Sequence, residues 1–272
     1  MTRPKEEAPG SSAHDAPSSN RGEEGMIKNA AALADKVNNY CRWNLSVFPI
    51  QKNKRILDIG CGPCAYLDAL LTYDPEFYLA TDYSERFLDV VRKRMSGLSK
   101  CRAEKLDIFS APGSVPFLEG EKFDYVLCFD VIEHLEDDVE GLKNIRRIMA
   151  MTGARELFVR VPALPLLFGS SDEAIGHFRR YTKNSLRSAF EAAGFELRRI
   201  KYQNIAGVIP WFVIGRLFRR SLAVAPSEGR LFDMIVPLLK WIEVIVPPPI
   251  GLTLYCEAIP KDYCKPEGIN RA

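Results

Sequence analysis

Histidine is scarce: only His14, His134 and His177 occur in 272 residues. Cys61-x-x-Cys64 has no partner Cys-x-x-Cys and no histidine nearby, so it reads as small loop residues rather than a zinc or redox pair. No metal is expected on that basis. Apolar runs such as 205–215 stop well short of the ~18 residues a membrane span needs. Excess charge of one sign is also missing, with 37 basic against 35 acidic side chains and a net charge of +2. That balance, with no concentrated basic face, excludes a broad polyanion-binding field, and no nucleic-acid partner is expected. No internal repeat occurs. Residues 1–24 are rich in Ser, Pro, Ala and charge and lack the apolar segment of a secretory signal. A disordered tail over 1–26 is expected. The cysteine count is odd, at seven, and several cysteines lie in apolar runs, which suits reduced thiols in a cytoplasmic setting.

What is present is ordinary globular composition, 47% apolar and 26% charged. It suits one elaborated domain over 27–262, followed by a flexible end at 263–272. A helix is expected over 30–47, with Leu33, Val37, Tyr40 and Leu45 on one side. Short apolar runs then alternate with amphipathic segments. Strands are expected over 55–59, 77–81, 103–106, 123–129, 156–161, 195–202 and 252–258. Between them lie a helix at 64–72, one capped by Ser84, one carrying Leu135, Val139, Leu142, Ile145 and Ile148 on one face, and one running from Thr182 to a stop at Gly194. A very apolar, largely helical insertion occupies about 205–248. Strand–helix alternation of this kind predicts a doubly wound α/β fold, a mainly parallel sheet with helices on both faces.

The segment Asp58-Ile59-Gly60-Cys61-Gly62 ends a buried strand in an acid followed by Gly-x-Gly. The glycines let backbone approach a ligand lying across the strand ends. The next strand ends in Asp82, placed to accept from ribose hydroxyls. The third ends in Asp107-Ile108, with the carboxylate suited to an adenine amine and the isoleucine to its ring face. Gly60-x-Gly62-x-x-Ala65 with Asp82 also satisfies a dinucleotide fingerprint, so an NAD(P)-dependent oxidoreductase is one reading. A pyrophosphate, however, disfavours a nearby carboxylate such as Asp58. A cofactor carrying an ammonium and a sulfonium tolerates it, which favours S-adenosyl-L-methionine.

Asp58-x-Gly60-x-Gly62, Asp82, Asp107-Ile108 and Asp130-Val131-Ile132-Glu133-His134-Leu135 together resemble the signature of class I S-adenosylmethionine-dependent methyltransferases. Asn39-Tyr40-Cys41-Arg42-Trp43, Gly169-Ser170-Ser171-Asp172 and Gly176-His177-Phe178-Arg179-Arg180-Tyr181-Thr182 are similar to a bacterial group of these enzymes found near polyprenol-type glycosyltransferases. Cys64 stands where the family often has a third glycine or another small residue. The resemblance implies a seven-stranded Rossmann-like sheet with an antiparallel last strand. It also implies that Asp58, Gly60, Gly62, Asp82, Asp107, Ile108 and Asp130 hold the cofactor.

His177, Tyr181 and His134 are the candidate catalytic residues. Segment 176–181 follows the fifth strand toward the expected acceptor mouth, and either histidine can remove a hydroxyl proton. Arg179 and Arg180 either bind an anion or pin the loop by their own ion pairs. Tyr40 and Trp43 either offer aromatic faces to a sulfonium or pack the first helix. The expected activity is methyl transfer to a small organic or lipid-linked acceptor; a noncatalytic cofactor-binding or membrane-interaction module is the other class. The apolar insertion, with Arg216, Arg219 and Arg220, reads either as peripheral membrane contact or as simply buried helices.

Overall fold

The computed structural model describes residues 31–110, 115–213 and 226–262. The expected tail over 1–26, the end at 263–272, and Arg216, Arg219 and Arg220 lie outside the described residues.

Strands β1 (Arg55–Ile59), β2 (Phe77–Asp82), β3 (Cys101–Lys105), β4 (Tyr125–Phe129), β5 (Glu156–Pro162), β6 (Phe195–Gln203) and β7 (Thr253–Pro260) form one sheet, ordered β3-β2-β1-β4-β5-β7-β6. Pairing from β3 through β5 is parallel, and β7 runs antiparallel to both β5 and β6. The order reverses between β1 and β4. In open α/β sheets the crevice at such a reversal receives ligands beyond the strands' carboxyl ends.

Side chains alternate across the pleat, which splits the core in two. Leu57, Ile59, Val126, Cys128, Leu157 and Val159 face one side. There they pack against α4 (Asp138–Thr152) through Leu142, Ile145 and Ile148, and against α6 (Lys183–Ala192) through Leu186 and Phe190. Ile56, Tyr78, Leu127 and Phe158 face the other. They meet Leu45 of α1 (Asn38–Leu45), Leu67 and Leu70 of α2 (Leu67–Leu71), and Leu88 and Val91 of α3 (Glu85–Arg94). Each such aliphatic side chain contributes roughly 1.5–3 kcal/mol by leaving water.

Local chemistry sets the helix ends. Asp137 caps α4 by accepting from the Glu140 amide, and Gly153 ends it at φ 69°, in the left-handed conformation that glycine takes without steric cost. Thr182 caps α6 through the Ser185 amide, as expected. Ser84 precedes α3 but makes no side-chain cap; the Asp82 carboxylate accepts from its amide instead. The helix expected over 30–47 divides, with α1 starting at Asn38, and the one expected over 64–72 shortens to α2.

After β5 the chain makes a long excursion through α5 (Ser170–Ala174) and returns to the strand it left. The Tyr181 amide donates to Pro162, and the Leu164 amide to Tyr181. Within the apolar insertion, α7 (Pro226–Ile245) docks through Asp233, whose carboxylate accepts from the Asn39 and Tyr40 amides at the start of α1. Glu243 near its far end accepts from the Asn204 and Ile205 amides.

Candidate active site

The glycine loop leaves β1 with Gly60 at φ 73° and Gly62 at φ 53°, backbone that L side chains rarely adopt. A Cβ on Gly60 would sit 2.4 Å from Val131 Cγ2, so that glycine allows β1 and the turn after β4 to approach. A Cβ on Gly62 would meet nothing within 4 Å, so the loop faces open space there.

Asp58 is buried on the α2 side, and its carboxylate accepts from the Tyr78 hydroxyl at 2.6 Å. Burial lifts its pKa to about 7; the Tyr78 hydrogen bond opposes the rise and the nearby Asp82 adds to it. Asp82 accepts from the Gly62 amide at 2.9 Å and the Ser84 amide at 2.8 Å. Burial raises it as well, against these hydrogen bonds. Asp107 lies exposed at the end of the third strand and accepts from the Phe109 amide. The three carboxylates therefore line one edge of the sheet, as expected. Ile108 differs in part: its side chain lies in the α4-side core, close to where Gly141 passes Leu135. The exposed rings of Tyr83 and Phe109 stand directly after Asp82 and Ile108 on the same edge. Neither ring announces itself in the sequence, because strand periodicity does not tell an exposed aromatic beyond a strand end from a buried one.

Asp130, just past β4, has φ 56°, a left-handed conformation that aspartate tolerates better than most residues. It pairs with Arg160 of β5, whose guanidinium also donates to the Tyr40 hydroxyl at 2.8 Å. The Arg160 cation lies 5.5 Å from the Tyr40 ring centre. Trp43 is buried. Tyr40 is thus a strut between α1, α7 and the β4–β5 edge, and Trp43 is core.

Glu133 and His134 follow Asp130 in a 3-10 turn, Ile132–His134. The excursion after β5 meets them, with the Phe178 amide donating to the Glu133 carbonyl at 2.8 Å. His177 then lies under His134, ring centres 4.6 Å apart and edge to face. Its Nδ1 is 2.9 Å from Asp172 Oδ1 and its Nε2 3.8 Å from Glu133 Oε1. Asp172 is also held by Arg180 at 2.8 Å. Burial pushes its carboxyl upward, but the hydrogen bonds from His177 and Arg180 outweigh it and leave the group below the usual range. Burial, then the neighbouring His177, lowers His134. Glu133 is fully buried and lifted well above the carboxylate range, by desolvation first and by Asp130 second.

The two candidate histidines therefore meet, but Tyr181 lies apart from them. Its hydroxyl donates to Asp138 at 2.7 Å and its ring is in the core, so it braces the loop instead of lining the mouth. Arg179 pairs with Asp138 at 3.0 Å and donates to the Glu136 carbonyl, so both arginines pin the loop. Glu133 and Asp172 join the site unforeseen. In the sequence both stand inside motifs that carry the resemblance, Glu133 beside His134 and Asp172 five residues before His177, without a role of their own. Cys61 and Cys64 are free thiols, with Cys64 Sγ 3.1 Å from the Tyr78 hydroxyl.

Residues 57–154, β1 through α4, match the family model of a methyltransferase domain. An uncharacterised methyltransferase-like protein of Schizosaccharomyces pombe is 25% identical over 153 residues, 56% of this chain and 53% of that protein. A ubiquinone biosynthesis O-methyltransferase of Coxiella burnetii is 25% identical over 104 residues, 38% of this chain and 42% of its own length. The matched segments span between 25% and 53% of the first curated relatives. Among solved structures, a chain from the complex of the Haloferax volcanii Trm112 methyltransferase activator with a methyltransferase superposes with a TM-score of 0.60 at 15% identity, covering 91% of this chain and 100% of that one. An S-adenosylmethionine-dependent methyltransferase from Mesorhizobium loti superposes with a TM-score of 0.52 at 14% identity, covering 79% and 95%. The fold is the seven-stranded α/β fold of S-adenosylmethionine-dependent methyltransferases. The site fits that cofactor: the space before Gly62 is open, and the strand-end carboxylates suit an ammonium and a ribose, not a pyrophosphate.

Proposed function

We propose that the protein transfers a methyl group from S-adenosyl-L-methionine to a hydroxyl of a small organic or lipid-linked acceptor. The observation that carries this reading is the row of Asp58, Asp82 and Asp107 around an open glycine loop, with a histidine pair beside it on the same sheet edge. The cofactor supplies an activated methyl on a sulfonium. Asp58 faces its ammonium end, Asp82 accepts from its ribose, and Asp107 with the flanking Tyr83 and Phe109 receives its adenine. Asp130, locked by Arg160, closes the floor between cofactor and acceptor.

The chain's own contribution to rate is alignment and exclusion of water. Asp172 orients His177, and the Glu133–His134–His177 cluster receives the hydroxyl whose proton must leave. His134, the more exposed ring, meets the acceptor first. Tyr181 acts from behind as a positioning residue through Asp138.

The lipid-linked form of the acceptor draws support from α7. Leu231, Met234, Leu238, Trp241, Val244 and Ile245 are all more than half exposed, a large apolar face on a helix tied to Tyr40 at the site's edge. No helix among the described residues is long and apolar enough to cross a membrane, so contact would be peripheral. Sedimentation with vesicles tests this arm: Leu238→Glu with Trp241→Glu is expected to release a bound protein, and equal binding by the variant refutes it.

The methyltransferase reading is tested by calorimetric titration with S-adenosylmethionine, S-adenosylhomocysteine and NAD. Binding of the first two and not the third is expected; preference for NAD overturns the assignment.

A further inference from the structure

Glu133, His134 and His177 each place one ligand-capable atom within 4.8 Å of the others. Glu133 is wholly buried, and neither carboxylate oxygen has a hydrogen-bond partner. A buried carboxylate with nothing to accept from is costly, and native structures rarely leave one. The neighbouring cations give it no hydrogen bond: Arg160 is turned to Asp130 and Tyr40, and Arg180 to Asp172 and the Ala163 carbonyl. His177 Nε2, at 3.8 Å, is too far for a hydrogen bond.

We propose that Glu133, His134 and His177 form a divalent-cation site whose open positions face the acceptor hydroxyl. The rest of the geometry is what such a site requires. A metal-bound imidazole donates its other ring N–H to a carboxylate or a backbone carbonyl, which fixes the tautomer and the ring plane. His177 Nδ1 lies 2.9 Å from Asp172, and His134 Nδ1 lies 3.3 Å from the Gly176 carbonyl. Both histidines thereby keep the lone pair on the opposite nitrogen, and His177 aims that nitrogen at Glu133. Asp172 is itself anchored by Arg180 and the Gly169 amide. Two imidazoles and one carboxylate suit a first-row divalent ion such as Zn²⁺ or Mn²⁺, and three protein ligands leave room for substrate oxygen. Ligands about 2 Å from a tetrahedral ion stand ~3.3 Å apart, so donors within 4.8 Å of one another need to close by at most about 1.5 Å.

This site rests on the methyl-transfer reading and gives it an acceptor class, a hydroxyl that coordinates a metal. Coordination lowers the hydroxyl pKa, and its proton passes to solvent. The oxygen's electron pair then forms the O–CH₃ bond while the C–S pair returns to sulfur, leaving a neutral thioether. Its donors come from two segments distant in sequence, which the fold joins through contacts that include the Phe178–Glu133 and His134–Gly176 hydrogen bonds, so the sequence offered the two histidines but not Glu133 as a third donor.

The test uses tag-free full-length protein treated with a chelator and titrated calorimetrically with Zn²⁺ and, separately, Mn²⁺. One equivalent of at least one ion is expected to bind. His134→Ala, which alters an exposed ring, is expected to weaken binding by at least about tenfold, and Asp172→Asn by about 10–100-fold. Co²⁺ substitution is expected to give d–d absorption that both variants lose. Should Glu133→Gln fold poorly, His134→Ala and the Co²⁺ spectrum still decide. No binding by the wild type, or equal binding by His134→Ala, overturns the proposal. S-adenosylhomocysteine affinity, measured on the same preparations, is expected to stay within about threefold. Its absence in the wild type would instead count against the methyltransferase reading, so the two failures are distinguishable.

Discussion

Asp58 is the group whose ionisation the fold opposes and the cofactor would reward. Its carboxyl titrates near 3.8 in an unfolded chain and at about 7 in the folded one, because burial penalises the charge more than the Tyr78 hydroxyl relieves it. The folded state therefore binds the proton more tightly than the unfolded state. The resulting stability is full below about pH 4, falls as the pH rises toward 7, and is gone above it. Three pH units at 1.36 kcal/mol each amount to about 4 kcal/mol. Urea unfolding at pH 5 and pH 8, for wild type and Asp58→Asn, is the assay. Asparagine keeps the shape and can still accept from Tyr78, so the variant should fold. The wild type is expected to lose more stability across that range than the variant, by an amount approaching 4 kcal/mol but reduced to about 3 by the part already lost below pH 5. The cofactor arm follows by linkage. An ammonium beside Asp58 favours the carboxylate, so binding at pH 6 should release close to one proton and binding at pH 8 about a tenth of one. Calorimetry in buffers of different ionisation enthalpy measures that release. Parallel stability profiles, together with no proton release at pH 6, would refute the argument.

Replacing Asp82 by Ala should weaken S-adenosylmethionine binding at least about tenfold by calorimetry, since it removes the proposed ribose acceptor and the carboxylate that holds the Gly62 amide. Gly60→Ala should cost both stability and cofactor affinity, because its Cβ meets Val131 at 2.4 Å on backbone at φ 73°; melting and titration of one preparation check this. Tyr181→Phe should lower unfolding free energy by about 1–3 kcal/mol through loss of the donor to Asp138, with cofactor affinity unchanged. His177→Ala should cut turnover with cofactor affinity within about threefold, once an acceptor is in hand.

The fold was legible in the sequence because its signals are local. Apolar runs of strand length, Thr182 before a helix and Gly194 after it each act over a few residues, and all seven expected strands are found. That Asp58, Asp82 and Asp107 gather at one edge was legible for the same reason, since each lies at or just past the carboxyl end of a strand and parallel pairing brings those ends together. The acceptor side was not. His177 and Glu133 meet through backbone contacts between distant segments, and nothing local says whether a loop tyrosine turns toward a mouth, as expected of Tyr181, or into Asp138, as it does. Arg179 and Arg180 mislead similarly, because an arginine's partner is a tertiary fact. The exposed face of α7 follows neither from hydropathy nor from period, since apolar composition alone cannot distinguish burial from display.

The most direct measurement follows the methyl group itself. Purified protein is incubated with methyl-labelled S-adenosylmethionine and a metabolite and lipid extract, and the products are separated and weighed. The account predicts label in an acceptor that has gained one methyl on a hydroxyl oxygen, with S-adenosylhomocysteine formed in equal amount and much less of both from Asp82→Ala at the same subsaturating cofactor concentration. Tight cofactor binding with no labelled product from any fraction would contradict it and leave a binding module in place of an enzyme.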